Sequence, residues 1–207
     1  MKRQQKVELL PELVESIIGD AADVFILFID LCGSTEYKQR CILLKQPDLT
    51  WIFRQLIFLQ RAAEIIKKHE GVVAKTTGDG IIAFFEAITS PESILKCAIE
   101  VIQGYENLGA FKNHSKIEVK TSIDFGRVYN GSIVDSVPFD PIGLPVDRCA
   151  RLNSLAKNNE ILFSEDFLSI AEAKSSAKKL KAKYGYDSHI DDLKGIGKVR
   201  YFTITAK

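Results

Sequence analysis

With 207 residues, 46% of them hydrophobic, the chain can close one substantial core, and a single main domain is expected. Its 28 basic and 27 acidic residues leave a net charge of +1, too little to suggest nucleic acid or an anionic membrane surface as a partner. No apolar run approaches the roughly 20 residues of a membrane span. The N-terminal Met1-Lys2-Arg3-Gln4-Gln5 has no apolar signal core, and Cys32, Cys41, Cys97 and Cys149 lack metal-ligand spacing. A cytoplasmic protein with reduced, buried thiols is expected. His69, His114 and His189 are equally dispersed and form no ligand set.

Residues 6–19 carry apolar side chains at helical spacing (Val7, Leu10, Val14, Ile17) and predict a short helix, which Pro11 restricts to its later turns. Residues 1–21 thus read as an extension ahead of a main domain over 22–207. Val24–Asp30 is an apolar strand. It runs into Gly33-Ser34-Thr35-Glu36, a strand-to-helix turn with Ser34 or Thr35 as N-cap and free N–H groups able to hold phosphate oxygens. That helix reaches about Lys45, where Pro47-Asp48 breaks it. A long helix over Leu49–His69 follows, with apolar positions at Ile52, Leu56, Leu59, Ala63 and Ile66.

Val72–Thr76 and Ile81–Phe85 read as strands joined by a tight turn at Gly78-Asp79-Gly80, whose glycines open backbone angles closed to other residues. Ser90-Pro91 starts a helix running to about Leu108. Ile117–Phe125 and Arg127–Val134 predict a second strand pair around Gly126. A helix over Leu144–Lys157, a strand over Glu160–Phe163 and a helix from Ser164 come next. Ala171–Lys183, rich in Lys and Ala, reads as a solvated helix face, and strands near His189–Leu193 and Val199–Ile204 close the chain. The order predicts an α+β fold, a mostly antiparallel sheet covered by helices.

Asp30 ends the first strand and Asp79 sits at the rim of the hairpin. A lone Gly-Asp-Gly is as readily a turn former as a ligand. Two carboxylates at the ends of neighbouring strands, however, make a site for divalent cations with oxygen ligands. No Ser-His or Cys-His arrangement suggests a side-chain nucleophile.

Five segments in order resemble the catalytic domain of class III nucleotidyl cyclases: Phe28-Ile29-Asp30-Leu31-Cys32-Gly33-Ser34-Thr35, Lys75-Thr76-Thr77-Gly78-Asp79-Gly80, Asp124-Phe125-Gly126-Arg127-Val128, Gly143 to Leu152, and Asn159 to Ser164. The resemblance covers about residues 22 to 205. Within the family the chain is most similar to the pyrimidine cyclases of bacterial Pycsar anti-phage systems, through Asp140-Pro141-Ile142-Gly143 leading into Val146 to Arg151, and through a chain with only about 20 residues before the first strand, too few for a sensor domain.

The resemblance implies a ferredoxin-like cyclase fold and a head-to-tail homodimer with two shared active sites. It implies two divalent cations, Mn²⁺ or Mg²⁺, on Asp30 and Asp79, with phosphate contacts at Gly33, Ser34 and Thr35. Arg151 of the opposite subunit takes the position of the transition-state arginine, and Asp147 stands where the family has a ribose-orienting Asn. Lys75 and Asp140 fall on the two base-reading positions. The substrate is a nucleoside triphosphate, UTP ahead of CTP, and the product acts through a cyclic-nucleotide-responsive effector. From the residues alone, Asp147 and Arg151, four apart on one helix, also read as a surface ion pair. Lys198 and Arg200 both lie near the family's C-terminal phosphate-binding lysine. Tyr37, Trp51 and Phe53 are candidates for limiting the depth of the base pocket.

Overall fold

A computed structural model describes residues 21–105, 116–131, 140–174 and 176–205. The helix expected over residues 6–19 lies outside the described residues. The described elements are β1 (Ala22–Leu31), α1 (Ser34–Leu43), α2 (Leu49–Lys68), β2 (Val72–Thr76), β3 (Gly80–Glu86), α3 (Pro91–Gln103), β4 (Val119–Asn130), β5 (Pro141–Ile142), α4 (Leu144–Leu155), β6 (Glu160–Ser164), α5 (Glu165–Ala173), α6 (Ala177–Tyr184), β7 (Asp187–Leu193) and β8 (Gly197–Thr205). Seven strands line up in the order β2-β3-β1-β4-β6-β8-β7, and β5 pairs with β4. All pairings are antiparallel except β4 with β6. The expected α+β architecture is present. No helix of the described residues is long and apolar enough to cross a membrane.

The two-residue period of β1 decides which side of the sheet each residue serves. Phe25, Leu27, Ile29 and Leu31 point into the large core beneath α2, α3 and α5, with Phe58, Ile66, Leu95 and Phe167. Val24, Ile26 and Phe28 point to the opposite face, where they meet Val128 and Cys149 under α4. Asp30 shares the parity of Val24, Ile26 and Phe28, so it belongs to the α4 face.

β4 follows the same rule. Val119 and Ile123 enter the large core, whereas Lys120, Ser122 and Asp124 form a polar row beneath α4. Ser122 donates to the Cys149 carbonyl at 2.7 Å. Asp124, fully buried, accepts from Arg148 Nε at 2.6 Å and Nη2 at 2.8 Å, from the Phe125 N–H at 2.7 Å, and from Ser164 Oγ. Arg148 also pairs with Asp166. Burial pushes the Asp124 carboxyl upward against the pull of Arg148. Burial works to lower the Arg148 value, but the hydrogen bonds and charge of Asp124 and Asp166 carry it above the ordinary one. Asn153 Nδ2 donates to the Phe28 carbonyl at 3.2 Å and completes the attachment of α4 to the sheet.

Three local expectations are corrected. The strand pair around Gly126 is one continuous strand, β4, laddered to β1 from Ala22↔Val128 to Leu31↔Val119. Gly126 is there for space rather than a turn, since a Cβ would sit 2.6 Å from Pro145 Cγ, where α4 crosses. On α2 the buried stripe is Arg54, Phe58, Ala62, Ile65 and Ile66, while Leu56 is exposed. The first half of α2 is apolar on several sides, so periodicity alone does not choose the face. The lysine-rich stretch exposes its lysines as expected, but on two helices rather than one, α5 ending at Ala173 and α6 starting at Ala177.

Other expectations hold at the level of the element. Ser90 Oγ accepts the Ser93 N–H at 3.1 Å, and Ser164 Oγ accepts the Phe167 N–H at 3.1 Å, so both act as N-caps. The third helix, expected to run to about Leu108, ends earlier, at Gln103 with Gly104 as its C-cap. The four cysteines are free; three are buried and Cys32 is half-buried.

The Asp124–Arg148 pair yields a stability test. Arg148→Met leaves a fully buried carboxylate without its cation, which costs about 3–5 kcal/mol of unfolding free energy in chemical denaturation. The double substitution Asp124→Asn/Arg148→Met is expected to regain a large part of that loss, because no uncompensated charge remains.

Candidate functional site

The site gathers where β1 and the β2–β3 hairpin end together. The ladder pairs Asp30 with Gly80, so Asp79 immediately precedes the residue opposite Asp30. The hairpin turn is tied down from two sides. Leu31 N–H donates to the Asp79 carbonyl at 3.1 Å, and Gln55 Nε2 on α2 donates to the Gly78 carbonyl at 2.6 Å. Gly78 takes a φ of 85°, as expected of a tight turn. Gly80 serves a different need: a Cβ there would lie 2.6 Å from Thr77 Oγ1, 3.0 Å from the Ile29 carbonyl and 3.4 Å from Asp30 Oδ1.

α1 starts beside the turn. Its N-cap is Gly33, with a φ of 63°, and no side chain caps the helix, which corrects the expectation for Ser34 or Thr35. Ser34 is the first helical residue, and its hydroxyl donates to Asp79 instead. The first N–H groups of α1, without intrahelical acceptors, therefore end next to the two carboxylates.

Asp30 sits between opposing influences. Burial pushes its pKa upward, the neighbouring Asp79 charge adds to that, and Lys120, whose Nζ lies 3.2 Å from Asp30 Oδ2, pulls the other way. Lys120 was not singled out from the sequence. In the sequence it is one of several polar residues alternating with apolar ones on that strand, and it faces Asp30 because the β1–β4 register pairs the two. A carboxylate in this setting favours a cation. Among the described residues, no group of three His, Cys, Asp or Glu side chains comes together. The donor set is therefore two carboxylates, which suits a hard divalent cation that takes its remaining ligands from water and phosphate oxygens.

Two cavities flank this point. One, of about 220 Å³, is lined by Leu31, Ser34, Tyr37, Trp51, Gly78 and Asp79, among others. Lys38 Nζ lies 4.1 Å from the centre of the Trp51 ring, and the Arg54 guanidinium 4.7 Å from that of Tyr37. Phe53 is 56% exposed and does not line this cavity. The other, of about 290 Å³, is lined by Phe28, Asp30, Lys120, Asp147, Ala150, Arg151, Asn153 and Ser154. Asp147 and Arg151 are both exposed, and no ion pair joins them among the described residues. The surface-pair alternative for these two is not seen.

Lys75 and Asp140, 65 residues apart, meet directly: Lys75 Nζ lies 2.5 Å from Asp140 Oδ1. A register shift in the β2–β3 ladder between Val73 and Lys75 re-aims the lysine. Near the C-terminus, Arg200 is engaged by Glu165 at 3.2 Å, and Lys198 pairs in register with Asp192 on β7. Thiol chemistry is disfavoured, since burial pushes Cys32 up to about 11 and Cys149 up to about 12.

Comparisons with known proteins identify the family. Residues 18–205 match the family described as the adenylate and guanylate cyclase catalytic domain. The chain belongs to that family and is a class III nucleotide cyclase catalytic domain. Class III cyclases use divalent metal ions, generally Mg²⁺ or Mn²⁺. Among solved structures, the guanylate cyclase domain of RhGC from Catenaria anguillulae, in complex with GTP, is similar at 18% identity and a TM-score of 0.70, over 90% of this chain and 97% of that one. The adenylyl cyclase CyaB from P. aeruginosa is similar at 17% identity and a TM-score of 0.71, over 90% and 95%. A dimeric guanylyl cyclase domain from the aquatic fungus Blastocladiella emersonii is similar at 16% identity and a TM-score of 0.69, over 89% and 97%. These identities establish the fold alone. No curated protein matches the sequence significantly.

Proposed function

We propose that the protein is a homodimeric cyclase that converts a pyrimidine nucleoside triphosphate, UTP ahead of CTP, to the 3′,5′-cyclic monophosphate and pyrophosphate. In this reading residues 22–207 are the catalytic unit and residues 1–21 an extension. The product is a second messenger in anti-phage defence, read by a cyclic-nucleotide-responsive effector. The observation that carries the chemistry is the juxtaposition of Asp30 and Asp79 beside the open N-terminus of α1.

Asp30 and Asp79 hold two divalent cations, which neutralise triphosphate charge and acidify the ribose 3′-hydroxyl when bound. Ser34 fixes the orientation of Asp79, and the N–H groups of Gly33, Ser34 and Thr35 face phosphate oxygens. The 3′-hydroxyl releases its proton to solvent and its oxygen forms a bond to the α-phosphorus, while the bond from that phosphorus to the bridging oxygen of the β-phosphate breaks and pyrophosphate leaves. The protein's share of the work is positioning and charge stabilisation rather than a covalent intermediate. Arg151, whose planar guanidinium can bridge two phosphate oxygens, faces the transferring phosphate of the site on the partner subunit. Asp147, where the family has Asn, accepts from the ribose rather than donating to it.

Lys75 offers a donor and Asp140 an acceptor to the edge of the base. Adenine and cytosine answer with a ring nitrogen and an exocyclic amine, and uracil with a carbonyl and its N3–H. Discrimination against purines then falls to depth.

Equal concentrations of the four triphosphates, given together with Mn²⁺ and resolved by mass, are expected to yield cyclic UMP as the main product. Predominant cyclic AMP contradicts the pyrimidine reading, and predominant cyclic CMP only its last step. Asp79→Ala and Arg151→Ala are each expected to be inactive alone and to recover part of the activity when mixed, through one intact site per heterodimer. No recovery, with heterodimers shown to form, would place Arg151 in the service of the Asp30 of its own chain, with which it lines a cavity.

A further inference from the structure

Asp140 stands directly before β5, a strand of only two residues whose ladder to β4 is Tyr129↔Ile142 and Asn130↔Pro141. So short a pairing gives little rigidity by itself, and Pro141 has no N–H to contribute. What holds Asp140 is its own main chain. Its carbonyl accepts the Gly131 N–H at 2.8 Å, and its N–H donates to Asn130 Oδ1 at 3.1 Å. Gly131 permits the close approach, since a Cβ there would lie 2.6 Å from Ile142 Cγ2 and 3.3 Å from the Asp140 carbonyl.

Both main-chain groups of Asp140 thus end on consecutive residues, Asn130 at the end of β4 and Gly131 just after it. The Gly131 bond is one that backbone at that place can make. The Asn130 bond requires a side chain with an acceptor oxygen at that distance. Lys75, on a flexible four-carbon stem, can follow the carboxylate to which its ammonium is bound, so the location of the pair is set on the Asp140 side.

We infer that Asn130 is a positioning residue for base recognition: its carboxamide oxygen fixes Asp140, and with it the spacing of the Lys75–Asp140 pair that meets the edge of the base. The inference rests on the reading of Lys75 and Asp140 as base contacts. In this role Asn130 acts through Asp140 rather than on the substrate itself. Its effect appears in which nucleotide is chosen rather than in the rate of the chemical step.

The test measures kcat and KM with each of the four nucleoside triphosphates for the full chain. Asn130→Ala is expected to raise KM for the preferred nucleotide about tenfold, to leave its kcat within about twofold, and to narrow the kcat/KM ratio between that nucleotide and the next. Asn130→Asp, which keeps an acceptor oxygen in the same place, is expected to retain the ratio. Asn130→Ser, whose oxygen is too short to reach, carries the same comparison should the alanine variant fold poorly. A residue that only stabilises the sheet edge would lower activity with all four nucleotides by one factor and leave the ratio unchanged, and that result overturns the inference. Asp140→Ala separates the two levels. If it shifts the ratio and the Asn130 variants do not, the positioning role alone is wrong. If it too leaves the ratio unchanged, base reading by the pair is wrong and the inference falls with it.

Discussion

The register of β1 is the constraint on which the rest of the site depends. β1 is paired on both edges, and those pairings set Asp30 opposite Gly80 on one side and Lys120 on the other. A slip of one residue would turn Asp30 into the apolar core and Ile29 toward α4, exchanging every residue between the two faces. Phe25, Leu27, Ile29 and Leu31 prevent that slip, because all four are buried in the core on the far side of the sheet. The same burial that folds the domain therefore sets a carboxylate at the end of a central strand. Through the hairpin, it also sets a second carboxylate beside it.

Two acidic residues on this face differ in how far the fold satisfies their charge. Asp124 accepts four hydrogen bonds, two of them from Arg148, and is closed to solvent. Its demands are met within the fold, and it ties α4 to the sheet. Asp30 is half-buried, has Lys120 as its single ionic partner among the described residues, and feels the charge of Asp79 nearby. Burial and a like charge together raise its pKa, and an added cation would relieve both effects. Charges left incompletely satisfied at the rim of a sheet mark the sites that take a ligand, and Asp30 with Asp79 fits that description where Asp124 does not.

Much of this arrangement is legible in the residues because its signals are local. An apolar strand ending in Asp, a Gly-Asp-Gly turn and a Ser-Pro helix start each specify their own element, and the strands and helix emerge within a few residues of their expected ends. What is not legible depends on contacts distant in sequence. Gly126 looks like a turn because glycine often is one, yet Pro145 of α4 claims the space a side chain would fill. Ser34 looks like an N-cap, yet Asp79, 45 residues away, takes its hydroxyl. Lys120 matters only through the β1–β4 register, and Asn130 only because Asp140 returns beside it. The face that α2 buries is chosen by the core it meets, since its own apolar pattern permits more than one.

The central claim is that Asp30 and Asp79 together form the divalent-cation site. Its most direct measurement is Mn²⁺ binding, followed by electron paramagnetic resonance, in the presence of a 3′-deoxynucleoside triphosphate that can bind but cannot cyclise. The full chain is expected to bind two Mn²⁺ per site, and Asp30→Ala and Asp79→Ala each to lose protein-bound Mn²⁺ while remaining folded by circular dichroism. Undiminished Mn²⁺ binding in both folded variants would contradict the claim and move the metal site elsewhere on the protein.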